Sequence, residues 1–86
     1  MNLFEVKVSI RLRPSVLDPA GEAIKSAANK LGVDGINSLR IGKLIEINLE
    51  AAEEEDLKQK IDLLCDRLFA NNVIENYNYS FKKIDD

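Results

Sequence analysis

Arg40-Ile-Gly-Lys43 is the part of this chain that most resembles a phosphate cradle: a glycine between cations, followed by an apolar run. A phosphate-binding P-loop needs a longer glycine-rich loop that ends in Gly-Lys-Ser/Thr at a helix N-terminus. Here a lone glycine is followed by strand-like sequence, so that motif is absent. Arg40 and Lys43 are therefore expected at a surface or subunit contact, with direct phosphate contact as the alternative. Arg11 and Arg13 flank the end of an alternating segment, and a guanidinium can grip an anion or a partner's carboxylates. The plainer expectation for them is a pair of solvated strand charges. Tyr77 and Tyr79 share one side of a strand and are expected to pack in a sheet core or a subunit contact, where their hydroxyls need partners. Glu5, Glu46, Glu50 and Glu75 are strand carboxylates that cannot be paired into a dyad without the strand register.

The remaining chemistry is thin. Glu53, Glu54, Glu55 and Asp56 form an acidic run, but consecutive helical residues point in different directions and do not converge on one ion. Acids at a helix N-terminus complement its dipole, which is the expected role. Cys65 is the single cysteine. It falls in a helical apolar pattern late in its helix, where a buried small hydrophobe is expected rather than a reactive thiol. The chain has no histidine, so it cannot by itself build Ser–His–Asp or Cys–His catalysis, or a Cys/His zinc site. A net charge of −3 and a pI of about 4.9 give no nucleic-acid footprint. No apolar run approaches the ~20 residues of a membrane span. With no charged-then-apolar leader and one free thiol, a cytoplasmic location is expected.

The elements that must position these residues follow from periodicity. Phe4, Val6, Val8, Ile10 and Leu12 alternate with Glu5, Lys7, Ser9, Arg11 and Arg13, which predicts a half-buried strand. Pro14 ends it. Asp18-Pro19 predicts a helix start, with Asp18 as the cap and proline in the first turn. Ala20, Ile24, Ala27 and Leu31 recur at helical spacing, and Gly32 is placed to end the helix in the left-handed conformation. From Ile36 to Glu50 the pattern is strand-like, with Leu39, Ile41, Ile45, Ile47 and Leu49 on one parity. A strand bent at Gly42 preserves that parity, whereas a Gly42-Lys43 turn would spoil it. Leu57, Ile61, Leu64 and Leu68 predict a second amphipathic helix with Cys65 on its flank and Asn71 and Asn72 as C-terminal caps. Val73 to Phe81 predicts a last strand, and the tail 82–86 is expected to fray.

The expected class is α+β in a single domain, residues 1–86. A small antiparallel sheet carries two helices on one face. It has three long strands with the middle one bent near Gly42, or four as β-α-β-β-α-β. A chain of 86 residues buries only about 60% of its unfolded surface. Without disulfides or a metal, it is expected to lean on partners.

Three segments also resemble a known family: Ser-Val-Leu-Asp-Pro-Ala-Gly at 15–21, Leu-Arg-Ile-Gly-Lys and the strand after it at 39–49, and Leu-Cys-Asp-Arg-Leu-Phe-Ala-Asn-Asn-Val-Ile-Glu-Asn-Tyr at 64–77. In order and combination they are similar to PurS, the small subunit of phosphoribosylformylglycinamidine (FGAM) synthase. Ala20, Asn72 and Asn76 stand where that family often has Gln, Pro and Asp. The resemblance implies a non-catalytic subunit of a glutamine- and ATP-dependent C–N ligase in de novo purine synthesis. Such a subunit joins a large synthetase and a glutaminase and helps ammonia pass between them. It implies dimers or larger homo-oligomers, no cofactor on this chain, and ATP and Mg in the complex. Arg11, Arg13, Arg40, Lys43, Asn71 and Tyr77 are then the expected subunit-contact residues, with no catalytic, cofactor or metal residue. The competing reading is a small α+β regulatory module that binds an amino acid or nucleotide at a dimer interface, which is an analogy from fold alone.

Overall fold

The computed structural model describes residues 1–84, in the order β1 (Asn2–Leu12), α1 (Pro19–Lys30), β2 (Gly42–Ala51), α2 (Glu54–Leu64) and β3 (Glu75–Lys83). A π-helical turn, Cys65–Phe69, continues α2. The strands form one antiparallel sheet in the order β2-β1-β3. The three-stranded version of the expected fold is the observed one. The tail was expected to fray from residue 82, yet Lys82 and Lys83 lie in β3 and the Ile84 amide bonds to the Leu3 carbonyl at 2.8 Å. Residues 85 and 86 lie outside the described residues.

The alternation of β1 sets the core. Phe4, Val6, Val8 and Ile10 are all buried on one face of the central strand. Across the sheet they form rows: Leu49–Phe4–Lys83, Ile47–Val6–Phe81, Ile45–Val8–Tyr79 and Lys43–Ile10–Tyr77. Helix α2 covers these rows with Leu57, Ile61 and Cys65, each fully buried. Burial of each large aliphatic side chain contributes about 1.5–3 kcal/mol. Phe4 and Phe81 meet edge-to-face with ring centroids 6.1 Å apart. The opposite face sets Glu5 between Asn48 and Lys82, and Lys7 between Glu46 and Ser80. It therefore stays polar.

The buried stripe of α2 is Leu57-Ile61-Cys65, joined by half-buried Phe69, and not the expected Leu57-Ile61-Leu64-Leu68. Steps of four drift around an α-helix of 3.6 residues per turn. The π turn, with Ala70 N–H on the Cys65 carbonyl at 3.0 Å, widens the helix and brings Phe69 back over the sheet. Leu68 is left 73% exposed. Asp56 accepts from the Ala52 amide at 3.0 Å and from Lys60 at 3.3 Å, so the acidic run works as a helix start. Among the described residues, no group of acids, cysteines or histidines is arranged to hold a metal.

Two expectations about the first half of the chain fail. The strand predicted from Ile36 begins only at Gly42, and residues 33–41 have no ladder. The reason is the partner: the β1–β2 register ends at Arg11 opposite Gly42, just before Pro14. Gly42 is neither a bend nor a turn. A Cβ there would sit 2.7 Å from the Ile10 carbonyl and 2.7 Å from Arg11 Cγ, so glycine answers a lack of space.

The second failure is the placement of α1. It rests on no strand and not on α2 beyond marginal contact, and Gly21 is its only buried residue. A ten-residue strand spans about 33 Å and a twelve-residue helix about 18 Å. Their sum matches the longest dimension of 52 Å. Helix α1 therefore extends past the end of the sheet, and the radius of gyration of 16.8 Å exceeds the ~12 Å of a compact chain this long. Only α2 covers the sheet.

Candidate functional site: the polar end of the sheet

The antiparallel topology brings the end of β1 and the starts of β2 and β3 to one edge. All six sequence-predicted contact residues converge there. Arg11 and Arg13 end β1, Arg40 and Lys43 bracket the start of β2, and Asn71 and Tyr77 bracket the start of β3. Arg11, Arg40 and Asn76, with Leu12, Pro14 and Ser38, line an open cleft of about 440 Å³.

Most of these side chains are bonded within the chain. Arg40 donates to the carbonyls of Arg13 and Val16, both at 2.9 Å. Arg13 donates from its guanidinium to the Asn72 carbonyl, and its backbone amide bonds the Ile74 carbonyl at 2.8 Å. Lys43 lies 3.8 Å from Glu75, and the other Glu75 oxygen accepts from the Asn71 amide at 2.8 Å. Asn71 in turn accepts from the Val73 amide through Oδ1 at 3.1 Å, and its carbonyl accepts from Ile74 and Glu75. It shapes the turn into β3 more than it caps α2. The Tyr77 hydroxyl donates to Asp62 Oδ1 at 3.1 Å. Burial, that bond and the charges of Asp62 and Asp66 push the Tyr77 hydroxyl up to about 12. Among the described residues, Arg11 has no polar partner, and it is exposed.

Asp18 is the residue whose role here escaped the sequence. Its capping bond to the Gly21 amide, 3.0 Å through Oδ1, was legible in Asp-Pro. The other oxygen accepts from the Ile41 amide at 2.9 Å, twenty-three residues on. The Ile41 bond first, then the Gly21 bond, hold the carboxyl below its ordinary 3.8, and the Arg40 charge adds to them. The carboxylate thus ties the base of α1 to the start of β2. Gly21 belongs to the same joint, because a Cβ there would lie 2.6 Å from the Leu39 carbonyl. No local signal shows a bond across that separation.

Cys65 sits under α2, where burial, aided by the charges of Asp62 and Asp66, raises its thiol to about 11. It is packed as an apolar residue and is not poised as a nucleophile.

Fold and site together define a small α+β module with a three-stranded sheet, a projecting helix and polar groups engaged in holding the chain. The profile of the PurS family, phosphoribosylformylglycinamidine (FGAM) synthase, matches residues 5–83. The PurS subunit of Synechocystis is 46% identical over 82 residues, covering 95% of this chain and 82% of that protein. The PurS structure of Bacillus subtilis superposes with a TM-score of 0.84 at 37% identity, covering 92% of this chain and 98% of that one. A chain in the PurLQS structure of Thermotoga maritima gives 0.82 at 28% identity, with 98% and 100% covered. The chain belongs to the PurS family of FGAM synthase subunits.

Proposed function

We propose that this chain is the small subunit that joins the synthetase and glutaminase components of FGAM synthase, a ligase complex of purine biosynthesis, and assists the passage of ammonia between them. The observation that carries the reading is the family match across residues 5–83, supported by the likeness to a chain of the PurLQS structure. The site agrees with it. Polar groups at the end of the sheet brace the backbone, and Cys65 is buried, so chemistry is left to the other subunits. In this reading the complex uses ATP and Mg, works in the cytoplasm and contains this chain as a homo-oligomer. Of the six predicted contact residues, Arg11 is the best placed to meet a partner's carboxylates, because it is exposed and has no polar partner among the described residues. Lys43 is a weaker candidate through its long pairing with Glu75.

Reconstitution tests the proposal. Cognate synthetase and glutaminase are mixed with and without this chain, in the presence of glutamine, ATP and Mg. Assembly and glutamine-dependent turnover should both require the chain, and Arg11→Glu should weaken assembly without altering the fold. Equal assembly and turnover without the chain would sink the reading. Titration of the chain with amino acids and nucleotides covers the regulatory alternative, for which no binding is expected.

A further inference from the structure

Arg11 stands between two open clefts at the polar end of the sheet, of about 440 and 390 Å³. It shares the first with Arg40, Ser38 and Asn76. Ser9, Gly42, Lys43 and Asn78 join it in lining the second. Among the described residues no acid lines either cleft, although the chain as a whole carries a net charge of −3. The acids at this end are already engaged, Asp18 with the Gly21 and Ile41 amides and Glu75 with Lys43 and the Asn71 amide. Arg11 therefore has no counterion within the described chain. The Ser9, Asn76 and Asn78 side chains likewise have no hydrogen-bond partner among the described residues.

The glycine of Arg40-Ile-Gly-Lys43 seats Arg11. The two residues face each other across β1 and β2, and a Cβ on Gly42 would lie 2.7 Å from Arg11 Cγ and 3.6 Å from its Cδ. The aliphatic stem of Arg11 thus lies across the glycine, and the guanidinium has less freedom to lose on binding. On the other side Arg11 faces Asn76, and one row along Ser9 faces Asn78. Such rows are about 6.7 Å apart, the spacing of alternate side chains in any extended segment. A guanidinium grips carboxylate and phosphate alike. Two features favour carboxylates carried on a chain over a single phosphate. The cations are strung along the edge, with Arg40 before Gly42 and Lys43 after it, and Arg40 is tied to the Arg13 and Val16 carbonyls. The helix N-terminus at this end, that of α1, is capped by Asp18 and offers no phosphate cradle. Leu12 and Pro14 in one cleft and Leu44 in the other also suit the side chains that flank acids in a peptide.

We infer that the two clefts meeting at Arg11 are the docking site for an extended acidic segment of a partner subunit. One carboxylate pairs with Arg11 beside Asn76, and the next lies toward Ser9, Asn78 and Lys43. The inference deepens the small-subunit reading, on which it rests for the existence of a partner. It assigns the surface, the chemistry of the segment that fits it, and the reason for a glycine at position 42.

Assembly of the full chain with cognate synthetase and glutaminase tests it. Arg11→Glu should raise the dissociation constant at least tenfold, about 1.4 kcal/mol, in about 0.1 M salt, with an unchanged circular dichroism spectrum. The gap from wild type should narrow in about 1 M salt, where the screening length falls from about 10 Å to about 3 Å. Asn76→Asp and Asn78→Asp keep the shape of each side chain, put an acid in each cleft, and should weaken assembly in the same salt-dependent way. Lys58→Glu, a charge reversal on α2 outside both clefts, should not. In the Arg11→Lys chain a carbodiimide should join position 11 to an acid of the synthetase or glutaminase, and changing that acid to lysine should restore assembly to Arg11→Glu. Three results would overturn the inference: wild-type assembly by Arg11→Glu, a loss that is the same at both salt concentrations, or an assembled Arg11→Lys complex with no cross-link at position 11. A change in the chain's own association by Arg11→Glu would assign the clefts to a second copy. Saturable binding of inorganic phosphate that Arg11→Glu removes would assign them to phosphate. Either outcome also overturns it. The small-subunit reading stands or falls separately, on glutamine-dependent turnover with and without the wild-type chain.

Discussion

The α2-covered part of the sheet and the projecting α1 are both helical amphipathic structure, yet they are held by different forces. Between the sheet and α2, eight fully or almost fully buried apolar side chains pack together: Phe4, Val6, Val8, Ile10, Ala51, Leu57, Ile61 and Cys65. Along α1 the single buried residue is a glycine, and the arm is fixed at its base by the Asp18 carboxylate and the Arg40 guanidinium. Burial stabilises the first region without regard to direction. A few directional hydrogen bonds orient the second. A module with this division keeps its fold in the sheet and offers its helix outward.

The contrast breaks most sharply at the core. Ile61→Ala should cost about 2–5 kcal/mol, because the cavity between α2 and β1 cannot collapse. Urea unfolding should show the midpoint falling with the slope unchanged. The same truncation on the arm, Ile24→Ala, should alter monomer stability by no more than about 0.5 kcal/mol. If the two changes cost alike, α1 is packed in the monomer and the comparison is wrong.

Gly42→Ala comes next, at about 1–3 kcal/mol by overpacking. The clash is with the Ile10 carbonyl, which cannot rotate away, so amide exchange should accelerate at the Gly42 end of β2 and spare the Ala51 end. Uniform exchange along β2 would show that the strand end yields without cost.

A smaller, local effect is expected at the joint. The Asp18 carboxyl is held below its ordinary value by accepted bonds. A depressed folded-state value means that its stabilisation is present above the unfolded carboxylate range and is lost as pH falls through the lowered value. Acidification below about pH 4 should therefore expose the amides of Gly21 and Ile41 to exchange, and Asp18→Asn should give the same exposure at neutral pH. Insensitivity of both amides would remove Asp18 from the joint.

The smallest effect concerns Cys65. With its thiol raised to about 11, it should resist disulfide reagents at pH 8 in the folded chain and react only on unfolding. Fast labelling of the native protein would show that the cover supplied by α2 opens readily.

Particular residues show how far local sequence reaches. The faultless alternation from Phe4 to Leu12 set β1 and its buried face, since pleat parity is local. Asp18-Pro19 set the start of α1 and Gly32, at φ 92°, its end, since caps involve neighbours in the chain. Parity misled at Leu39 and Ile41. They continue the pattern of Ile45, Ile47 and Leu49, but the β1–β2 ladder stops at Arg11 opposite Gly42, and the Ile41 amide bonds Asp18 instead of β1. The six contact candidates were chosen singly, and the register brought them to one edge. The internal bonds of Arg13, Arg40, Lys43 and Tyr77 were invisible because each partner is distant in sequence, whereas those of Asn71 stay within four residues.

By itself, then, the sequence determined the α+β class, the central strand, the helix boundaries near Asp18 and Gly32, and, through three ordered segments, membership in the PurS family. These follow from period, cap and motif, which act over a few residues. Only the tertiary structure decided that β2 starts at Gly42, that a π turn returns Phe69 to the core, that Asp18 reaches Ile41, and that α1 leaves the sheet. Each depends on which groups find partners across the fold, and the spacing of residues along the chain does not contain that pairing.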